Sequence, residues 1–159
     1  MVEVRRLSER DAEILWHLRL MALESDPQAF AEPAAHHRAT PVAVYAERLR
    51  SGDSESVVFG VFEGSELVAM AGLYPEQTES RRQGRVWGVF VRPDCRGRGF
   101  GGAVLRALMA HVKDQTAFDT VALEVAGTQE SARQLYLSCG FRPAGEGAHG
   151  GEEMIWTLR

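Results

Sequence analysis

Residues 96–102 hold the side-chain types and spacing most suited to chemistry in this 159-residue chain. The segment reads Arg96-Gly97-Arg98-Gly99-Phe100-Gly101-Gly102 and lies between a predicted strand and a predicted helix. Glycines allow φ > 0 and let the backbone approach a ligand closely. The first turn of the following helix adds unpaired N–H groups and the positive end of its dipole. The segment therefore predicts an anion site for phosphate or pyrophosphate.

Two ligand classes fit this segment. Gly97, Gly99 and Gly102 match the dinucleotide fingerprint G-x-G-x-x-G, and Glu124 follows on a predicted strand, where a ribose-binding acid would lie. That fingerprint normally belongs to repeated βαβ units, whereas an antiparallel run of strands precedes it here. A nicotinamide dinucleotide is therefore one alternative, and an acyl carrier with a pyrophosphate is the other.

Two motifs favour the second alternative. Arg96-x-x-Gly99-x-Gly101, after a predicted strand ending Val89-Phe90-Val91, resembles the acyl-CoA-binding motif of the GNAT superfamily of N-acetyltransferases. The later segment resembles that family's second signature, through Leu123-Glu124-Val125, Ala132, Leu135-Tyr136 and Gly140-Phe141. The resemblance implies an acyltransferase that moves acetyl from acetyl-CoA to a primary amine, directly, in a ternary complex. The acceptor is not specified.

The resemblance also implies where acetyl-CoA binds. The backbone of Val89, Phe90 and Val91 would pair with the pantetheine arm, because this strand splays from its neighbour in the family. The backbone N–H groups of the turn would hold the pyrophosphate, at Gly97, Arg98, Gly99, Phe100, Gly101 and Gly102. Arg96 and Arg98 would add charge, unless they are simply solvated. Gln129 stands where the family often has an asparagine that contacts the pantetheine.

Two residues are implied as catalytic. Tyr136 matches the tyrosine that protonates the departing thiolate, and a tyrosine pKa near ~10 suits that role. Its helical stripe with Ala132, Leu135 and Cys139 leaves a core role open. Glu124 matches a glutamate that acts as general base in some branches, and an ordinary half-exposed strand glutamate is its alternative. Glu76 and Glu79 rank below it.

The cysteines and histidines give weaker predictions about the site. Cys95 lies near a helix N-terminus and two arginines, a setting that lowers a thiol pKa, but the resemblance points to direct attack by the amine. His36 and His37 lack further ligands at metal spacing, so we predict no metal. Cys95 and Cys139 form no C-x-x-C pair; with no apolar leader or membrane span, a reduced, cytoplasmic protein is expected.

The elements that must position these residues follow from periodicity and turns. The pattern predicts the order β-α-α-β-β-β-α-β-α-β-β, a mixed, mostly antiparallel sheet flanked by helices. Ser8 and Asp11 predict a capping box. Ile14, Leu18 and Met21 predict the buried face of the first helix. Residues 26–40 are predicted as loop, and Thr128 as the cap of the last helix.

Length and charge restrict the remaining choices. At 159 residues the chain predicts one domain, residues 1–159. Lys plus Arg is 18 and Asp plus Glu is 22, a net charge of −4, which argues against nucleic acid as partner. We expect a small-molecule or protein amine as acceptor and no membrane. The oligomeric state is left open, with a homodimer as one possibility because dimers are common in the family that the chain resembles. A non-catalytic acyl-CoA-binding regulatory domain is the second functional hypothesis.

Overall fold

The computed structural model describes residues 1–78 and 81–158. Seven strands and five α-helices follow one another through this part of the chain. In order they are β1 (Val2–Arg6), α1 (Ala12–Ser25), α2 (Ala34–Arg38), α3 (Val42–Ser51), β2 (Val57–Glu63), β3 (Glu66–Glu76), β4 (Gln83–Val91), α4 (Phe100–Gln115), β5 (Thr120–Val125), α5 (Glu130–Ser138), β6 (Arg142–Glu146) and β7 (Glu152–Thr157).

The strands form a single sheet in the order β1-β2-β3-β4-β5-β7-β6. Neighbouring strands are antiparallel except β4 and β5, which are parallel. Those two strands pair only at Gln83–Arg85 with Thr120–Ala122. Beyond these pairs they separate, so the middle of the sheet opens along the second half of β4. The mixed, mostly antiparallel sheet flanked by helices is confirmed.

A bulge in β4 shapes the opening. Gly72 lies opposite Trp87, whereas Met70 lies opposite Phe90, so β4 has one more residue than β3 between these two pairs. Gly88 takes up the bend with φ of 66°, a left-handed value that glycine adopts without the steric cost of a Cβ. The bulge bends β4 and turns its last residues away from β5.

The sheet carries an apolar cluster on each face because successive strand side chains alternate between faces. Val57 and Val61 of β2 pack with α4 in one cluster, through residues such as Leu105. Val58 and Phe62 pack with α1 and α3 in the other. This alternation explains why β2 and β3 are apolar almost throughout, since both of their faces are covered.

Several predicted boundaries need correction. Of the predicted face of α1, Leu18 is buried and Ile14 packs against the core, but Met21 is exposed, so the prediction was wrong there. The buried face is centred on Leu15, Leu18 and Ala22. The segment predicted as loop contains α2, and the last helix is preceded by Gln129 rather than capped by Thr128. The capping box at Ser8 and Asp11 is confirmed.

Candidate functional site

The open side of β4 offers backbone groups that no neighbouring strand uses. The Arg92 N–H donates to the Val68 carbonyl of β3, and Phe90 lies opposite Met70 in the same ladder. Hydrogen-bonding groups alternate along a strand, so the backbones of Val89 and Val91 point to the opening. The Val91 carbonyl accepts a hydrogen bond there from Arg96 Nε at 3.0 Å. The backbone of Phe90, a predicted ligand contact, instead faces β3.

The glycine-rich turn presents a row of free donors. The N–H groups of residues 96–102 have no acceptor within the described ranges, 1–78 and 81–158; the first helical bond runs from Ala103 N–H to Gly99 C=O. Gly97 and Gly99 have φ of 80° and 84°, and a Cβ at either position would meet open space. Consecutive N–H groups at such a turn form an anion-binding concavity at a helix N-terminus. The turn thus fits a pyrophosphate.

The two arginines of the turn are held by carboxylates at its rim. Arg96 Nη2 lies 3.1 Å from Asp26 Oδ2, and Arg98 Nη1 donates to Glu63 Oε1 at 3.0 Å. Both side chains are about half exposed, at 47% and 48%. Exposed ion pairs of this kind contribute little free energy, so each guanidinium is able to swing towards a phosphate.

Tyr136 lies at the bottom of the groove between β4 and β5. The groove encloses a cavity of about 80 Å³, and its walls include Val89, Leu123, Gln129 and Ala132. The ring packs edge-on to Phe141 at 6.1 Å, so the aromatic body belongs to the core. The hydroxyl has no hydrogen-bond partner among the described residues, and burial raises the tyrosine pKa above its ordinary value. Tyr136 is therefore a core residue with a protonated, free donor at the groove.

Gln129 precedes α5 on the wall of the same groove. Its backbone is engaged, because its N–H donates to the Ala126 carbonyl and its own carbonyl accepts from the Arg133 N–H. Its side-chain amide makes no hydrogen bond within the part of the chain that the structure describes. The amide is thus available to a ligand in the groove.

Glu124 is enclosed by the glycine-rich loop between β6 and β7. Its carboxylate accepts from the backbone N–H of Gly151 at 2.8 Å and of His149 at 3.1 Å. A Cβ on Gly147 would lie 2.5 Å from the Glu124 Oε1 atom, so only glycine fits there. These N–H groups lower the Glu124 pKa below its ordinary value although burial acts to raise it. The side chain, 15% exposed, anchors the loop.

A larger cavity of about 370 Å³ adjoins the groove. Both are bounded by Phe30, Trp87, Gly88 and Glu124, so a molecule in the larger cavity would lie next to the Tyr136 groove. The remaining walls come from residues 28–32, from β4 and from the loop after β6. Arg19 of α1 also lines this cavity, and the sequence analysis missed it.

A network of charges closes one end of this cavity. Arg85 binds Glu76 through Nε at 2.9 Å and Glu153 through Nη2 at 2.6 Å. The network joins β3, β4 and β7, and both carboxylates act to raise the Arg85 pKa. Glu76 is thus a structural partner rather than a free base. Glu79 lies outside the described residues.

Cys95 and the histidine pair have ordinary structural roles. Burial and the neighbouring Asp94 raise the Cys95 pKa, so the expectation of a lowered one was wrong. His37 is fully buried, stacks on Trp16 at 4.7 Å, and its Nε2 lies 2.9 Å from the Trp16 carbonyl oxygen. His36 pairs with Glu32 at the surface. Within residues 1–78 and 81–158, no three His, Cys, Asp or Glu side chains are grouped to hold a metal.

The family model for the Acetyltransferase (GNAT) family matches residues 17–141, which include the turn, the groove and most of their supporting elements. The chain belongs to this family. The resemblance drawn from the two motifs is confirmed. The family therefore accounts for the glycines of the turn without a nicotinamide dinucleotide. Glu124, the ribose-binding acid of that alternative, instead accepts hydrogen bonds from the loop between β6 and β7.

Individual relatives agree with the family. The spermine/spermidine N(1)-acetyltransferase of Bacillus subtilis (strain 168) is 32% identical over 100 residues, which are 60% of this chain and 66% of that protein. The chain thus spans just under two thirds of that relative.

Solved structures agree with the fold. A GNAT-family acetyltransferase from Streptococcus pneumoniae has a TM-score of 0.84 at 14% identity, covering 99% of this chain and all of the other. The PaiA N-acetyltransferase of Thermoplasma acidophilum, solved with coenzyme A, has a TM-score of 0.73 at 16% identity, covering 99% of each chain. In addition, no helix among the described residues is long and apolar enough to cross a membrane.

Proposed function

We propose that the protein transfers an acetyl group from acetyl-CoA to a primary amine. The observation that carries the proposal is the order of three features around the open half of β4. The free N–H groups of the 96–102 turn follow the end of β4. The part of β4 beyond its pairing with β5 comes next, and its residue Val89 lines the groove that also holds the unpaired Tyr136 hydroxyl. A ligand with a pyrophosphate, an amide-bearing arm and a thioester has its groups in that order.

The pyrophosphate would bind the N–H groups of the turn, with Arg96 and Arg98 leaving their surface carboxylates to add charge. The pantetheine amides would pair with the open edge of β4 as an additional strand would. The Gln129 amide would contact the same arm. Phe90 would contribute its side chain to the core beneath the ligand and not its backbone.

In the transfer step the amine nitrogen attacks the thioester carbonyl carbon and the C–S bond breaks. Backbone N–H groups of the open strand would stabilise the oxyanion that forms on the carbonyl oxygen. Tyr136 would give its hydroxyl proton to the departing sulfur, and the amine proton would leave to solvent through the larger cavity. Both proton movements balance, since the tyrosinate recovers a proton from the same solvent.

Glu124 borders both the groove and the larger cavity, so it would face the attacking amine. As a general base it would be weak, because its pKa lies below the ordinary carboxylate value and the best catalytic pKa lies near the working pH. We propose that it fixes the acceptor side of the site by holding the loop at His149–Gly151. The general-base role stays a prediction, tested below.

The acceptor class is a separate question. The relative from Bacillus subtilis is named for spermine and spermidine, and the larger cavity is bordered by the carboxylates of Glu32 and Glu124. Polyamines therefore belong in any panel of acceptors.

Both cysteines are free, which supports action in the reducing cytoplasm.

The test is a transfer assay. Purified protein is incubated with acetyl-CoA and a panel of primary amines, and release of the CoA thiol and formation of the acetylated amine are both measured. The proposal expects equal amounts of the two products with at least one amine. Binding of acetyl-CoA with no transfer to any amine would instead support a regulatory acyl-CoA-binding domain.

A further inference from the structure

Arg19 is a buried cation with unused donors. It lies on the apolar stripe of α1 with Leu15, Leu18 and Ala22, and its side chain is only 8% exposed. Nη2 binds Glu32 Oε1 at 3.1 Å. Nε and Nη1 are closed off from solvent and have no hydrogen-bond partner among the described residues. Burying a charged donor without a partner is costly, so native proteins rarely leave one.

The surroundings of Arg19 are mostly aromatic and support its charge. The guanidinium carbon lies 5.0 Å from the Phe30 ring centroid and 5.4 Å from that of Trp87, so the group is held between two aromatic rings. The guanidinium and the Tyr45 hydroxyl interact through charge and through a hydrogen-bonding contact, and both oppose the rise in the Tyr45 pKa that burial causes. That hydroxyl lies 3.4 Å from His37 Nδ1, the partner with which it forms a hydrogen bond.

The guanidinium also borders the place where an acceptor would react. Arg19 lines the larger cavity, which also borders Glu124. Its Nη1 lies 3.4 Å from where a Cβ on Gly88 would be, at the bulge that opens the sheet. The cavity thus has a guanidinium, paired with Glu32, on the α1 side and the Glu124 carboxylate on the β5 side. Such a pair complements a molecule that has both an anionic and a cationic group.

Glu32 is the carboxylate that Arg19 binds in this structure. The carboxylate on Arg19 comes from the segment 28–32, which lines the cavity and belongs to no strand. Glu32 has a second partner, because its Oε2 lies 2.7 Å from His36 Nδ1. A carboxylate entering from the cavity is therefore able to take the guanidinium while His36 keeps Glu32. Phe30 would move with the segment and uncover Nε and Nη1.

We propose that Arg19 recognises a carboxylate on the acceptor, so that the acceptor is an amino acid rather than a simple amine or polyamine. The inference rests on the proposed function, because it names the acceptor of the same transfer. A planar guanidinium binds a carboxylate through two parallel N–H···O bonds. A polyamine has no oxygen for these donors and would leave them unpaired. The carboxylate would set the distance of the amine from the thioester.

The test compares pairs of acceptors that differ only in the carboxylate. The pairs are L-ornithine with putrescine, L-leucine with 3-methylbutylamine, and L-phenylalanine with phenethylamine. The wild-type protein should acetylate the amino acid of at least one pair with a kcat/KM about 10- to 100-fold higher than its decarboxylated partner, the usual range for a hydrogen bond to a charged group. An amino-acid amide, which keeps the carbonyl without the charge, should fall between them.

Variants separate recognition from folding. Arg19→Gln should reduce the preference to within about 3-fold through a higher KM for the amino acid, and Arg19→Lys should restore part of it. Arg38→Gln, which removes an equal charge from an exposed position paired with Glu24, should leave the preference unchanged. Thermal unfolding of each variant checks that it is folded.

Three results would overturn the inference, and only the third would also overturn the proposed function. If the protein acetylates the amines or polyamines as well as the amino acids, it does not recognise the carboxylate of the acceptor, although the proposed transferase function stands. If the Arg19→Gln variant is folded and keeps the wild-type preference for amino acids over amines, a group other than Arg19 recognises the carboxylate. Absence of transfer to every member of the pairs, with no acetyl-CoA binding, would instead refute the proposed function and the inference with it.

Discussion

Tyr136 combines a core position with a free hydroxyl, and only the hydroxyl is required for chemistry. Tyr136→Phe keeps the ring against Phe141 and removes the donor. We expect kcat to fall about 100-fold, the lower range for general acid catalysis, while the dissociation constant of acetyl-CoA changes less than about 2-fold. Steady-state kinetics and calorimetric titration measure the two quantities. An unchanged kcat would remove Tyr136 from the mechanism.

The variant Glu124→Gln distinguishes whether Glu124 acts as a general base or positions the loop. If it positions the loop, Glu124→Gln should raise the amine KM about 10-fold, because the amide cannot accept as well from the His149 and Gly151 N–H groups, and kcat should change little. Its lowered pKa also predicts that wild-type kcat/KM shows no carboxylate titration above pH ~5. A pH–rate profile checks this. A break near neutral pH that disappears in Glu124→Gln would show that the carboxylate is the base after all.

Arg19 illustrates why the roles of single residues are harder to predict from the sequence than motifs are. Sequence reasoning assigns arginines to solvent, and the large apolar residues at 14, 18 and 21 suggested a different face for α1. The buried stripe runs instead through 15, 18, 19 and 22. The sequence signal that could have revealed this role was the helical spacing that places Arg19 on one face with Leu15 and Ala22. Tyr136, by contrast, was identified because it stands in a signature of fixed spacing.

The turn before α4 is the element on which acetyl-CoA binding depends. Gly99 precedes the helix at φ 84°, and Gly64 in the β2–β3 turn has φ of 62°; a Cβ at either would meet open space. Alanine at either position should therefore cost about 1–2 kcal/mol of stability through backbone strain alone. Only Gly99→Ala should also weaken acetyl-CoA binding, by about 10-fold or more, because it reorients the donors.

Gly64→Ala is the matched control for that prediction, since it imposes the same strain away from the groove. Denaturant unfolding and acetyl-CoA titration of both variants give the comparison. Equal affinity of the two variants for acetyl-CoA would mean that the 96–102 N–H groups do not hold the pyrophosphate.

The start of α1 depends on an ion pair and a capping box. Asp11 accepts from Arg5 at 2.9 Å and from the Ser8 N–H at 2.7 Å, and these contacts lower its pKa. A lowered folded-state pKa stabilises the fold above the unfolded value, about 3.9, and that stabilisation is lost as the pH falls through the folded value.

Asp11→Asn should therefore cost about 1 kcal/mol of stability at pH 7, and its difference from wild type should shrink below pH ~4. Urea unfolding across this pH range measures it. Asp114→Asn, at an exposed position of α4, should have little effect at any pH. A difference for Asp11→Asn that persists undiminished in acid would show that shape, not charge, fixes the start of the helix.

At the scale of the molecule, the order of elements was predictable and their limits were not. Period-2 and helical patterns together with glycine turns indicated every strand and the four longer helices. The patterns did not predict the last two residues of β3, Pro75 and Glu76, or the first three of β4, residues 83–85, because a proline, a glycine and charged or polar residues occupy these positions. Their strand pairing is stabilised by the Arg85 network with Glu76 and Glu153. The enclosure of Glu124 was equally hidden, since it depends on a contact across 27 residues with Gly151.

The central claim is that the groove from the turn to Tyr136 binds acetyl-CoA, and thermal unfolding in the presence of ligand tests it most directly. With acetyl-CoA at about 100 times its dissociation constant, the folded state should gain about 2.7 kcal/mol, and the Tm should rise by several degrees. NADH at the same concentration should leave the Tm unchanged, and Gly99→Ala should need more acetyl-CoA for the same rise. No rise with acetyl-CoA, or an equal rise with NADH, would contradict the assignment of the groove.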